Sequence, residues 1–154
     1  MELKKKYRSI VYKRRLTLPY GRALDCLTGD CPWPETQIGR EIGYAMDFYP
    51  DLEPRVFLSY ERDSWYAPES GLRITFDDAI RFRTADLTLD SDLWGTALLR
   101  PDQVLMELKA PGAIPLWMVR LLTEMGLYKT SFSKYGTAYQ ILLEQEYKGG
   151  KRYA

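Results

Sequence analysis

Apolar and polar residues alternate along three segments of the chain, which is the pattern of β-strands with two different faces. These are residues 54–67 (PRVFLSYERDSWYA), 72–84 (LRITFDDAIRFRT) and 104–110 (VLMELKA). The intervening sequence PESG is typical of a turn, so the first two segments are expected to form a hairpin. Residues 7–18 (YRSIVYKRRLTL) combine β-branched, aromatic and charged residues and predict a fourth strand. We expect the four strands to pair in one antiparallel sheet.

Two segments in the first third of the chain predict helices. Residues 19–27 (PYGRALDCL) predict a short helix with Pro19 near its first turn, where a missing N–H group costs nothing. The segment CPWPETQIGREIGYAMDFYP predicts a second helix that ends before Pro50, because the residue preceding a proline tends to leave the α region. Its apolar face would consist of Ile38, Ile42, Ala45 and Met46.

A third helix is predicted at residues 114–127 (IPLWMVRLLTEMGL), with Gly126 at its C-terminal end. Residues 85–103 predict a loop or an irregular crossing, and residues 129–147 begin as a polar loop and end as a strand or a helix. Strands and helices in this arrangement indicate an α+β fold with a mostly antiparallel sheet. The packing face of the third helix is expected to be Leu116, Val119, Leu122 and Met125.

Side chains alternate between the two faces of a strand, so sequence parity predicts which charges lie together. Tyr60 and Arg62 share a face with Leu58, and Glu107 and Lys109 share a face with Leu105. In residues 72–84 one parity carries arginine and the other is apolar. The first set is Arg73, Thr75, Asp77 and Arg81, and the second set is Leu72, Ile74, Phe76, Ile80 and Phe82.

The ordinary interpretation of such charges is a solvated face of an antiparallel sheet. A second interpretation is a curved sheet with the basic face inside, which would form a concavity that collects polyanions. Arginine and lysine would bind phosphate oxygens there. Glu107 would repel phosphate unless a divalent cation lay between them, so this carboxylate would be a ligand of Mg²⁺ or Mn²⁺.

Composition narrows the possible chemistry. The chain of 154 residues contains no histidine, which removes the commonest metal ligand and general base and leaves oxygen ligands for magnesium, manganese or calcium. The net charge is +1, but residues 1–15 hold seven basic residues and one acid, so a local basic stripe lies in an otherwise acidic chain. Cys26 and Cys31 are interpreted as free thiols in a reducing compartment, with a local disulfide as the alternative.

Targeting signals are not visible in the sequence. No signal peptide is expected, because Lys4–Lys6 is followed by charge and not by an apolar run, and no run of about 18 apolar residues predicts a membrane span. We therefore expect a cytoplasmic protein with no membrane span in this chain.

Three passages together carry a resemblance to a known family: ELKKKYRSIVYKRR, the hairpin SYERDSWY with LRITFD, and LMELKAPGAIPLWMVRLL with SFSKYGTAY. They resemble the VTC (vacuolar transporter chaperone) domain in its bacterial form, within the triphosphate tunnel metalloenzymes related to the CYTH proteins. The resemblance implies an antiparallel tunnel of eight β-strands with flanking helices, lined by lysine and arginine. Characterised members make inorganic polyphosphate from a nucleoside triphosphate, and tunnel relatives hydrolyse triphosphates.

The same resemblance implies roles for individual residues. Glu107 of MELK would hold Mn²⁺ or Mg²⁺ as the metal ligand. The residues implied in catalysis are Lys13, Arg62, Arg73 and Lys134. The implied phosphate-binding set is Lys4, Lys13, Arg62, Arg73, Ser133 and Lys134.

Two features depart from the family pattern. About five strands are expected, too few to close a barrel of eight, so residues 1–154 are interpreted as one domain that forms the C-terminal part of the tunnel domain. The missing strands would come from an upstream half or from another copy of the chain, because open sheet edges favour a homo-oligomer. Glu107 also lacks an evident partner carboxylate, for which Glu2 is the candidate.

Three functions remain open at this point. The first is metal-dependent phosphoryl transfer from a nucleoside triphosphate to inorganic polyphosphate, or hydrolysis of a triphosphate. The second is a polyphosphate- or triphosphate-binding module without activity. The third, nucleic-acid binding, ranks lowest because the basic residues alternate with apolar ones on strands.

Overall fold

The computed structural model of the chain describes residues 1–8 and 10–150. The chain divides into two compact units, Met1–Glu53 and Pro54–Ala154, and each is described on its own. The first unit contains strands β1 (Glu2–Tyr7) and β2 (Ile10–Arg15) and helices α1 (Tyr20–Thr28) and α2 (Gln37–Phe48). The second unit contains β3 (Phe57–Ala67), β4 (Leu72–Arg83), β5 (Thr96–Ala97), β6 (Leu105–Lys109), α3 (Leu116–Glu124) and α4 (Lys134–Gly150).

The basic N-terminal segment folds as a two-stranded antiparallel hairpin, in which Lys4 lies opposite Lys13. The chain reverses after β1, where Arg8 has a positive φ of 47°. Of the single strand predicted at residues 7–18, the structure contains β2 (Ile10–Arg15), which is one of the two strands of this hairpin. The prediction that it joins a single sheet with the other strands is wrong, because β1 and β2 pair with each other in a sheet of their own.

Helices α1 and α2 agree with the prediction from helical spacing. Pro19 immediately precedes α1, and α2 ends at Phe48, before Pro50. The side chain of Thr36 accepts a hydrogen bond of 3.0 Å from the N–H of Gly39 and so caps the start of α2. Buried side chains of this unit are Cys26, Ile42 and Ala45.

Strand β4 is the centre of the sheet in the second unit. It pairs with β3 along one edge and with β5 and β6 along the other, always antiparallel. Gly71 sits in the turn between β3 and β4 with a φ of 63°, a conformation that glycine adopts without steric cost. This turn sets the register of the hairpin, so Arg62 lies opposite Asp77.

A β-bulge interrupts the pairing of β3 with β4. Ser59 pairs with Arg81 and Glu61 pairs with Asp78, so β4 carries one extra residue at this step, where Ala79 has a φ of 44°. An extra residue reverses the side-chain alternation beyond it. The expectation of one continuous parity along β4 is therefore wrong. Ile80 and Phe82 point to the side of Asp77, and Arg81 points to the side opposite Arg73.

The helix predicted at residues 114–127 is present as α3, but its predicted packing face is wrong. Met118 is the buried side chain, at 4% exposure, and Leu122 one turn later is half-buried. Leu116, Val119 and Met125 are exposed. Gly126 follows α3 with a φ of 64°, and the N–H of Leu127 donates to the carbonyl of Leu122 at 2.8 Å, which closes the helix as expected.

The fold class is α+β with antiparallel sheets, as predicted. The strands of residues 1–8 and 10–150 do not close into a barrel. In the same part of the chain, no helix combines the length and apolar character that crossing a bilayer would require.

Candidate functional site

The side chains of β3, β4 and β6 form a polar surface on one side of the sheet. Directly opposite residues of antiparallel strands point to the same side. The pairing therefore places three cross-strand rows together, which we call the basic face. Its rows are Arg62 with Asp77 and Leu105, Ser64 with Thr75 and Glu107, and Tyr66 with Arg73 and Lys109.

The basic face is buried at its centre and exposed at its end. Asp77 is 0% exposed and Thr75 is 6% exposed, whereas Tyr66 is 65% exposed. The other side of the same strands is also mixed, because Leu72 is 1% exposed and Trp65 is 65% exposed. A charged residue on the solvated face of a sheet is normally exposed. The burial of Asp77 is therefore not explained by a simple solvated face.

Asp77 joins two cationic side chains that come from different elements. Arg62 of β3 donates from Nε to Oδ1 of Asp77 at 2.5 Å and from Nη2 to Oδ2 at 2.7 Å. Lys134, at the first position of α4, donates from Nζ to Oδ2 of the same carboxylate. Helix α4 thus approaches the sheet on the basic face, and Ala138, one turn after Lys134, is fully buried.

The ionisation of these groups follows from their contacts. Burial alone would raise the pKa of Asp77, but the hydrogen bonds from Arg62 and Lys134 and their charges lower it below its usual value. The hydrogen bond to Asp77 raises the pKa of Arg62. Asp77 and Arg62 are therefore both charged at neutral pH, and the single carboxylate lies between two basic side chains.

Tyr60 contributes an aromatic surface beside both cations. The guanidinium carbon of Arg62 lies 5.0 Å from the centroid of the Tyr60 ring, and Nζ of Lys134 lies 4.4 Å from it. Contacts of this kind between a cation and a ring are attractive. Arg62 and Lys134 are thus held side by side by one carboxylate and one ring.

Glu107 lies on the same side of the sheet as Arg62. Its Oε1 forms an ion pair of 2.9 Å with Nζ of Lys109, and its side chain is 44% exposed. The hydrogen bond from Lys109 lowers the pKa of Glu107, with smaller contributions from the charges of Arg62 and Lys134. The cross-strand neighbour Thr75 has a buried Oγ1 with no hydrogen-bond partner in the described part of the chain. An unsatisfied buried hydroxyl beside a charged carboxylate requires an explanation.

Arg73 is exposed and lies between Tyr66 and Lys109 in the pairing. It is four residues along β4 from Asp77, roughly 13 Å at the usual rise of a strand. The guanidinium of Arg73 makes no hydrogen bond or ion pair with the residues that the structure describes. With Lys134, the basic face carries four basic side chains (Arg62, Arg73, Lys109 and Lys134) and two carboxylates (Asp77 and Glu107), which leaves a formal excess of two positive charges.

Ser133 and Lys134 begin α4. The Oγ of Ser133 accepts a hydrogen bond of 3.2 Å from the N–H of Gly136, and the carbonyl of Ser133 accepts from Thr137 at 2.8 Å. Ser133 is therefore the N-cap of the helix, and its hydroxyl proton remains available to another acceptor. The predicted phosphate-binding role of Ser133 stays a prediction.

Lys4 and Lys13 lie in the first unit, where they face the same side of the hairpin and are exposed. Their convergence with the residues of the basic face stays a prediction. Glu2, the candidate second carboxylate, forms an ion pair of 3.0 Å with Arg15 in the same hairpin. The hydrogen bond from Arg15 lowers the pKa of Glu2.

Asp77 is the residue that sequence analysis placed on the correct parity without recognising its importance. The available signal was an aspartate in the middle of a strand whose neighbours are Ile74, Phe76 and Ile80. Charged residues are almost never fully buried unless they are paired. The pairing with Lys134, 57 positions later in the chain, could not be inferred from spacing.

Two other features of the described residues concern metal binding and the buried Arg83. No group of three or more cysteine, aspartate, glutamate or histidine side chains comes together there as a metal-binding cluster. Arg83 is buried but has a structural role, because it donates to the carbonyls of Ala85, Asp86, Asp92 and Trp94 and so orders the loop after β4.

Comparison with known proteins places this geometry in a family. The model of the VTC domain matches residues 1–143. No curated protein and no solved structure matches the chain significantly. The family match spans both units and includes β3, β4, β6 and Lys134, which together build the basic face. The chain therefore belongs to the VTC domain family.

Proposed function

We propose that the basic face binds the phosphates of a nucleoside triphosphate or of inorganic polyphosphate. The same face would support metal-dependent transfer of a phosphoryl group from the nucleotide to polyphosphate. The observation that carries this proposal is the pair of cations, Arg62 and Lys134, fixed side by side on a covered polar face. The membership of the VTC domain family supports the same class of substrate.

Phosphoryl transfer suits a site of this composition. The reaction depends mainly on positioning the phosphates and neutralising their charge, and it places little demand on a nucleophilic side chain. Arg62, Arg73 and Lys134 would bind phosphate oxygens through charge-assisted hydrogen bonds. Lys4, Lys13 and Ser133 are further proposed phosphate-binding residues. The absence of histidine from the sequence is compatible with this chemistry.

The residues beside Glu107 fit a hard divalent cation. Glu107 offers a half-exposed carboxylate, of which only Oε1 contacts Lys109, and the buried Oγ1 of Thr75 is an oxygen without a partner among the described residues. Mg²⁺ and Mn²⁺ bind through one or two carboxylates together with substrate phosphates and water. Glu107 would hold the ion, which when bound neutralises and orients the transferred group. Lys109 would then be free to contact phosphate.

A binding module without turnover is the second candidate. The observation in its favour is the open sheet, because β3 and β6 each have an edge without a partner strand in the described residues. An incomplete wall would bind phosphate but would not surround it. Hydrolysis of a triphosphate would use the same basic face with water as the acceptor.

The test is turnover of a nucleoside triphosphate by the parent chain and by Glu107→Gln, with Mn²⁺ or Mg²⁺ and with a chelator. The matched control is Glu61→Gln, because Glu61 lies on the other side of β3, opposite Asp78. We expect metal-dependent formation of polyphosphate or phosphate that Glu107→Gln abolishes and Glu61→Gln leaves intact. Turnover by Glu107→Gln in chelator would remove the metal role, and phosphate binding without turnover in the parent would favour the binding module.

A further inference from the structure

Asp77 is a buried acid in the middle of a face that is proposed to bind anions. By simple electrostatics, such a carboxylate should weaken the binding of phosphate, because it repels the ligand and neutralises one of two cations. The presence of Asp77 on this face therefore needs an explanation other than net charge. We find that explanation in the donor atoms of Arg62 and Lys134 that hydrogen-bond to its carboxylate.

Asp77 fixes one edge of the Arg62 guanidinium and leaves another edge open. Its two oxygens receive Nε and Nη2 of Arg62, while Nη1 makes no hydrogen bond to the residues that the structure describes. A guanidinium is a rigid planar fork of donors, so holding one edge also sets the direction of the remaining donors. Lys134 uses one ammonium proton on Asp77 and keeps two others.

This arrangement favours binding because the side chains of Arg62 and Lys134 are immobilised before a ligand arrives. Arginine and lysine lose considerable rotamer freedom when a ligand immobilises them, and that loss weakens binding. In this protein the loss has already occurred on folding, because Asp77 is fully buried and holds both side chains before any ligand arrives. The free donors are therefore oriented in advance.

We propose that Asp77 is a positioning residue, which holds Arg62 and Lys134 in the geometry that binds phosphate. This inference rests on the proposed function of the basic face and adds to it a residue whose own charge opposes the ligand. Asp77 does not touch phosphate and acts through its two cationic partners.

The test compares Asp77→Asn with Asp78→Asn. Both substitutions remove one negative charge from neighbouring positions of β4, but Asp78 is exposed and points to the other side of the sheet. An asparagine at position 77 can accept a hydrogen bond from Arg62, while its amide N–H groups face the ammonium of Lys134. It therefore cannot satisfy both partners.

The measurement is calorimetric titration of inorganic tripolyphosphate into each folded variant, with folding checked by circular dichroism. The positioning role predicts that Asp77→Asn binds about tenfold more weakly than the parent although it carries one charge more in favour of the anion. Asp78→Asn should bind as the parent does or slightly more tightly. Equal or tighter binding by Asp77→Asn would overturn the inference, since that is the result expected of a simple countercharge.

A second measurement needs neither ligand nor variant. The Nε–H resonance of Arg62 in the parent should be visible and protected from exchange, because it donates to a buried oxygen. A rapidly exchanging Nε–H would overturn the positioning role, even if Asp77→Asn does not fold. Failure of the parent to bind tripolyphosphate would instead refute the proposed function, and the Arg62 resonance would still decide whether Asp77 holds this side chain.

Discussion

At the scale of single residues, the carboxylate of Asp77 receives donors from β3 and α4 at a position that solvent does not reach. Removing one member of a buried ion pair is costly because it leaves the other charge unpaired. The expected loss for Asp77→Ala is about 3 kcal/mol, at the lower end of the usual range, because the side chain of Arg62 is one third exposed.

Acid should weaken the fold through the same group. Since its partners lower the pKa of Asp77 in the folded state, the stabilisation is present above the ordinary aspartate value of about 4 and is lost as the pH falls through the lower folded value. We expect the free energy of unfolding, measured with urea, to fall between about pH 5 and about pH 2. The decline should be shallower in Asp77→Asn, and identical slopes in the two proteins would contradict this assignment.

The strand and the face of Glu107 could be predicted from the sequence, but the burial of its neighbour could not. Its strand and its face followed from alternation alone, because β6 is short and pairs in register with β4. Its ion pair with Lys109 follows from the same parity. The burial of Thr75, which lies opposite Glu107, depends on the elements that cover the sheet. A local sequence pattern carries no information on that covering.

At the scale of elements, the strands β3, β4 and β6 and the helices α1, α2 and α3 were predictable because each has a clear period or turn signal. The bulge at Ala79 was missed although the alternation breaks there, because Asp77 and Asp78 are consecutive polar residues and Ala79 and Ile80 are consecutive apolar ones. The face of α3 was misassigned because LWMVRLL is apolar on nearly all sides. Periodicity then identifies a helix without fixing which side packs.

The packing of α3 gives a stability prediction. Met118→Ala should destabilise the protein by about 2–5 kcal/mol, because a side chain of 4% exposure is lost from a packed position. Leu116→Ala, two residues earlier at 64% exposure, should change the free energy of unfolding by no more than about 0.5 kcal/mol. Urea denaturation of the two variants measures both values. A larger loss in Leu116→Ala would restore the face that helical spacing predicted.

At the scale of the whole molecule, the resemblance in three passages identified the family, and the family model confirms it over residues 1–143. The separation of the chain into two compact units was not predicted, and the interpretation of residues 1–154 as one domain remains a prediction. The homo-oligomer expected from open sheet edges, the use of Mn²⁺ or Mg²⁺ and the roles of Lys4 and Lys13 also remain predictions.

The central claim is that one face of the second unit binds a chain of phosphates. Arg73 and Arg81 offer a matched comparison, because both are exposed arginines of β4 and the bulge between them points them to opposite sides of the sheet. Arg73 lies on the basic face, and Arg81 donates to the carbonyl of Gly95 on the other side at 3.3 Å.

The most direct measurement is the affinity of the parent, Arg73→Ala and Arg81→Ala for inorganic tripolyphosphate by calorimetry in the presence of Mn²⁺. Loss of a charge-assisted contact is worth about 1.5–3 kcal/mol, so Arg73→Ala should bind about ten- to a hundredfold more weakly than the parent. Arg81→Ala should bind nearly as the parent does. Equal effects of the two substitutions would mean that the anion senses only the net charge of the molecule, and this result would contradict a binding site on the basic face.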